Sequence, residues 1–256
     1  MNNFGSLQAQ IILKECGLKD LTDFSLEDVA YSYVGGIKEE NIKGAEGRIM
    51  FNHGEALITI NSSITLPGRR RFVLAHELGH FIMHKDQLVA HSDTDKTLND
   101  WYKNGPQEIQ ANDFAKELLM PTTSFKPLAE GKFSMKQIDS LAEKFQTSKT
   151  ATLLRYRDLG SYPLALIFID NGIIKWTQYS RDFVLQYIPI ETKVPVNTVA
   201  GDIFYYKNDI PISPELVDAI EWFPEDFNIK KFKNWQFYEQ CFKVSNTGIL
   251  SCLWGY

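Results

Sequence analysis

Two histidines four residues apart can reach a common point only if the chain between them is helical, and His76-Glu77-Leu78-Gly79-His80 makes that demand. On a helix such residues lie one turn above each other, so both imidazoles project from one face. Glu77 falls about 100° round the axis, able to approach whatever the histidines hold without becoming a ligand itself. Gly79 is expected to keep bulk out of the space between the rings. Pro67-Gly68 introduces a helix over about 69–84. All five histidines (His53, His76, His80, His84, His91) precede residue 92, so imidazole chemistry belongs to the first part of the chain.

His-Glu-x-x-His on a helix is the spacing of a catalytic zinc, with the glutamate as general base. Such a site needs a third protein ligand and an open fourth position. His84 continues the row, but one turn too far from an ion centred near His76, and reads as a supporting histidine. Glu108, on a helix introduced by Pro106 and ending before Pro121, is the better candidate. On a wheel of 100° per residue, Ala111, Asn112, Ala115, Leu118 and Leu119 lie within about 80° of it, whereas Glu117 points about 180° away. A carboxylate on a buried face needs a partner. Zinc would be one, and an ion pair with a basic residue such as Arg71 is the other. A di-iron site would need a second Glu-x-x-His, which the chain lacks.

The net charge of −5 argues against a direct nucleic-acid partner, with Arg69-Arg70-Arg71 the only dense basic cluster. The opening Met1-Asn2-Asn3-Phe4-Gly5 lacks the basic residues of a signal peptide, and no apolar run approaches a membrane span. Cys16, Cys241 and Cys252 are sparse and unpaired in spacing, which suits a reducing compartment and argues against a thiolate metal site. The expectation is a cytoplasmic protein without membrane association.

Helices are expected over 5–16, 25–33, 134–145 and 148–158, and strands over 48–51 and 56–61 joined as a hairpin. The strand over 56–61 has two readings, a strand that offers its edge to an extended chain and an ordinary strand of the sheet. From residue 161 the pattern turns to strands, with a hairpin about Asn171-Gly172 and another about Asn246-Thr247-Gly248. The fold class read from this is α+β: a domain of helices with a small antiparallel sheet over 1–160, then a smaller β-rich domain over 161–256.

Arg70 through His80, followed by Glu108-Ile109-Gln110-Ala111-Asn112-Asp113-Phe114-Ala115-Lys116-Glu117-Leu118-Leu119-Met120-Pro121, resembles the ImmA/IrrE family of metallopeptidases. The likeness runs weakly on to Arg155. It implies a gluzincin-like, zincin-type domain with His76, His80 and Glu108 as zinc ligands, Glu77 as catalytic base, and Asn112 supporting the site. It also implies a zinc-dependent endopeptidase whose protein substrate is a DNA-binding repressor or another regulator. Tyr102, His91 and His53 are candidates for a second oxyanion donor. The competing reading is a zinc-loaded regulatory module that sequesters a partner without cutting it.

Overall fold

The computed structural model describes residues 4–52, 55–90 and 105–255. His53, His91 and Tyr102, the candidate oxyanion donors, lie outside the described residues. The described residues fall into two compact units, one drawn from Met1–Leu128 with Asp139–Ser148 and the other from Ala129–Ile138 with Lys149–Tyr256. Helices and strands are mixed in the α+β manner. Among the described residues no helix is long and apolar enough to cross a membrane.

The first unit packs helices against a three-stranded sheet. Helix α1 (Phe4–Glu15) buries Ala9, Ile12 and Leu13. Helix α2 (Leu26–Tyr31) starts where Ser25 accepts a hydrogen bond from the Asp28 amide, the capping expected of a serine ahead of acidic residues. Strands β1 (Gly36–Glu40), β2 (Gly47–Asn52) and β3 (Glu55–Asn61) form a sheet in the order β1-β3-β2. Strands β2 and β3 form the expected antiparallel pair, but β1 adds in parallel on the other side of β3. Both edges of β3 are therefore occupied, so of the two readings of residues 56–61 the free edge is ruled out and the ordinary sheet strand stands. Ala56 and all of Ile58, Thr59, Ile60 and Asn61 are buried, as in a central strand covered by other elements.

Helix α3 (Pro67–Ala90) is longer than its sequence pattern implied. Arg70, near its start, pairs with Glu27 of α2 and Glu39 of β1, while Arg69 pairs with Glu46. Helix α4 (Pro106–Leu119) packs against both α1 and α3. That double packing explains why Glu117 is buried although it points away from the Glu108 face: its carboxylate accepts from Gln10 of α1 and from the amide and hydroxyl of Thr122.

The second unit carries a five-stranded antiparallel sheet in the order β5-β4-β8-β7-β6, from β4 (Leu164–Asp170), β5 (Ile173–Tyr179), β6 (Glu215–Asp218), β7 (Gln236–Lys243) and β8 (Gly248–Trp254). Asn171 and Gly172 both take positive φ, 49° and 74°, as a two-residue hairpin turn requires. Glu239 of β7 is fully buried, and its carboxylate accepts from the amides of Val199 and Ala200, the Trp222 indole and the Ser251 hydroxyl. Its donors thus satisfy an acid that would otherwise be prohibitive in a core.

Candidate metal centre

Helices α3 and α4 bring the sequence-expected ligands together. His76 and His80 stand one turn apart on α3, with Nε2 atoms 3.0 Å from each other. Glu108 lies in the first turn of α4, where the helix N-terminus favours a negative charge. Its Oε2 is 3.3 Å from His76 Nε2 and its Oε1 is 3.1 Å from His80 Nε2. One ligand atom from each of the three residues lies within 4.8 Å of the other two, a group that could hold a metal ion. Arg71, the alternative partner for Glu108, has a buried Nε with no hydrogen bond, while the carboxylate meets the two imidazoles.

The donor chemistry fits a cation. Two imidazole nitrogens and a carboxylate converging this closely repel unless a proton or a metal sits among them. In the metal-free chain one proton serves. Burial alone would lower the His76 imidazole, but Glu108, Glu77 and Asn112 outweigh it and hold His76 above its ordinary value. Burial, with His76 beside it, keeps His80 below its ordinary value despite Glu108. Burial would raise the Glu108 carboxyl, and the two imidazoles override it, holding it at about 2. Two imidazoles and one carboxylate are a ligand set suited to a catalytic zinc, with a coordination position left over.

Asn112, one turn beyond Glu108, has its Oδ1 3.1 Å from His76 Nδ1. An amide oxygen only accepts, so this bond keeps the His76 proton on Nδ1 and leaves the Nε2 lone pair facing Glu108. Glu77 is nearly buried, at 8% exposure, and burial, against the pull of His76, pushes its carboxyl up to about 7.

Two glycines shape the site, in ways the sequence pattern did not convey. A side chain at Gly79 would strike the Phe114 ring at 2.8 Å. Its bareness lets α4 approach α3 and so brings Glu108 to the histidines, which corrects the expectation that it clears space between the rings. Gly47, the first residue of β2, has Glu77 Oε1 2.6 Å and Val73 Cγ1 2.6 Å from where its Cβ would be. Nothing periodic marks Gly47 in the sequence; the contact exists only because β2 packs on α3. Gly47→Ala should displace the Glu77 carboxylate and, with Glu77 as the expected catalytic base, lower turnover by about 100-fold, the cost of a misplacement near 1 Å. Zinc content should stay at the wild-type level, because the atoms nearest a Cβ at Gly47 belong to Glu77 and Val73 and not to His76, His80 or Glu108. Unchanged turnover in a folded Gly47→Ala would show that the position of Glu77 is immaterial.

Residues 37–157 match the family model described as the IrrE N-terminal-like domain, a peptidase family. This segment belongs to the ImmA/IrrE family. It contains His76, Glu77, His80, Glu108 and Asn112, all of β2, β3, α3 and α4, and β1 from its second residue on. Among curated proteins none matches the chain. Among solved structures, a Mycobacterium tuberculosis transcriptional regulator is similar, with a TM-score of 0.64 at 13% identity over 98% of this chain and 75% of that one. At that identity the likeness is one of fold, and it extends through both units of the chain.

Proposed function

We propose that the chain is a zinc-dependent endopeptidase of the cytoplasm that cuts a regulatory protein, a DNA-binding repressor being the substrate class. The observation that carries this reading is the convergence of His76, His80 and Glu108 within 4.8 Å, with an additional, nearly buried carboxylate, Glu77, beside them. His76, His80 and Glu108 would hold zinc, which when bound supplies Lewis-acid polarisation of water and of the scissile carbonyl. Glu77 is the proton carrier. Its carboxylate takes the proton of the attacking water and returns it to the leaving amine, and burial, which in the metal-free chain raises this carboxyl, favours its holding a proton between the two transfers. Asn112 orients His76 for ligation. Strand β2 is a sheet edge that begins against Glu77, which supports an extended substrate segment adding there by main-chain hydrogen bonds. The regulatory substrate rests on the family and on a structural relative that is itself a transcriptional regulator.

The test is capture followed by cleavage. Zinc-loaded Glu77→Gln protein is cross-linked to its partner in cells, and the partner is identified by mass spectrometry and given to the wild type. A new N-terminus within the partner, absent when a chelator is added, is the expected result. Release of an intact partner by wild type and Glu77→Gln alike would replace the peptidase with a sequestering module.

A further inference from the structure

His84 and Gln110 lie outside the three proposed ligands, yet an unbroken line of hydrogen bonds ties them to His80. His84 Nε2 is 2.9 Å from Gln110 Oε1, and His84 Nδ1 is 3.2 Å from His80 Nδ1. The direction of each bond follows from the atom at the end. The Gln110 amide oxygen can only accept, so His84 carries its proton on Nε2. A neutral imidazole protonated there has a bare lone pair on Nδ1, which can only accept in turn. His80 must then carry its proton on Nδ1, and its own lone pair falls on Nε2. That is the atom 3.1 Å from Glu108 and 3.0 Å from His76.

We infer that His84 and Gln110 are positioning residues that fix the tautomer and ring orientation of His80 and so prepare its Nε2 for the metal. The inference rests on the reading of His80 as a ligand. His76 obtains the same preparation directly from Asn112, whereas His80 obtains it through a second imidazole. The opposite polarity is self-defeating: an amide NH2 group donating to His84 would move every proton along the line and place one on His80 Nε2, where it would block ligation. Burial removes the substitute that water would offer, since His84 is 2% exposed and His80 3%. The anchor is held as well. The backbone oxygen of Gln110 lies 2.1 Å from where a Cβ at Gly5 would be, so α1 packs directly on the turn of α4 that carries the relay.

The test compares zinc affinity, by competition with a chromogenic chelator at one pH, in wild type, His84→Phe, Gln110→Leu and Gln110→Glu, with thermal unfolding of each metal-free protein alongside. His84→Phe keeps a ring but offers no acceptor, and Gln110→Leu removes the terminal acceptor. Each should weaken zinc binding about 10- to 100-fold, the usual cost of losing a hydrogen-bond partner of a ligand histidine. Gln110→Glu can only accept and should bind zinc as the wild type does, a rescue that a packing role would not produce. In the zinc-loaded wild type, 15N spectra of the imidazoles should show His84 protonated on Nε2 and bare on Nδ1. Wild-type affinity in both His84→Phe and Gln110→Leu, or the reverse tautomer, overturns the relay. If His84→Phe does not fold, the Gln110 pair decides. A wild type without zinc affinity is a different result, because it removes His80 as a ligand and the relay with it.

Discussion

Glu77→Gln should keep its zinc and lose about 10²- to 10⁴-fold of its peptidase turnover, the range that a positioned general base contributes. The substitution is close to isosteric, so the packing of this side chain beside Gly47 persists and the loss falls on proton transfer alone. The fold provides an internal control. Burial raises the Glu77 carboxyl from 4.5 to about 7 in the metal-free chain. An acid whose folded pKa is raised leaves the protein most stable below the unfolded value, and stability falls as pH climbs through the folded one. Metal-free wild type should therefore lose stability between about pH 4.5 and 7, while Glu77→Gln should show none of that loss. By pH 8 the variant should be the more stable by up to about 3 kcal/mol, at 1.36 kcal/mol for each unit of pKa difference. Denaturant unfolding of both chelated proteins across this range checks the sign. A variant that loses activity and also unfolds more readily at pH 8 would mean that Glu77 acts on the fold and not on the reaction.

The parts of the site that were legible in the sequence are those that depend on periodicity. His76 and His80 share a face because α3 has 3.6 residues per turn, and the same arithmetic on α4 selected Glu108 over Glu117. Periodicity could not say how the two helices meet, and the missing details lie there. Gly79 against Phe114, Gly47 against Glu77 and Gln110 against His84 are contacts between separate elements, each fixed by packing. The same limit applies to the sheet. The turn spacing showed the β2–β3 pair, but β1 joins β3 in parallel from the far side of a non-local connection, with a sequence (Gly36-Ile37-Lys38-Glu39-Glu40) too charged to read as a strand. That one pairing moves β3 from edge to centre and leaves β2 as the edge nearest Glu77. The hairpins of the second unit were legible because Asn171-Gly172 and the Ser245–Gly248 turn announce themselves locally.

Glu108→Ala should lose zinc by more than the 10- to 100-fold expected for the relay variants, since it removes a proposed ligand and not the partner of one. Two histidines alone leave an ion with too few protein ligands for a catalytic site. The substitution also removes the only charge in the group that opposes the metal's own. Protonation behaviour should change with it. In the metal-free wild type Glu108 holds the His76 imidazole above its ordinary value against burial; without that carboxylate the burial effect is left less opposed, and His76 should titrate at lower pH. The Glu108 carboxyl itself is held at about 2. Its contribution to stability is accordingly complete above the unfolded value of 4.5 and fades as pH falls toward 2, while that of His76 is complete below 6.5 and fades as pH rises through its raised value. The pair therefore supports the metal-free fold most strongly between these limits, and Glu108→Ala should flatten the pH profile of unfolding there. Zinc and protons compete for the same nitrogens, so wild-type affinity should weaken as the solution is made more acidic. Metal analysis after equilibrium dialysis, with an imidazole titration of the chelated protein, reads both effects. Full zinc occupancy in a folded Glu108→Ala would remove Glu108 from the ligand set, and with it the physical reason for Gly79 to bring α4 so close to α3.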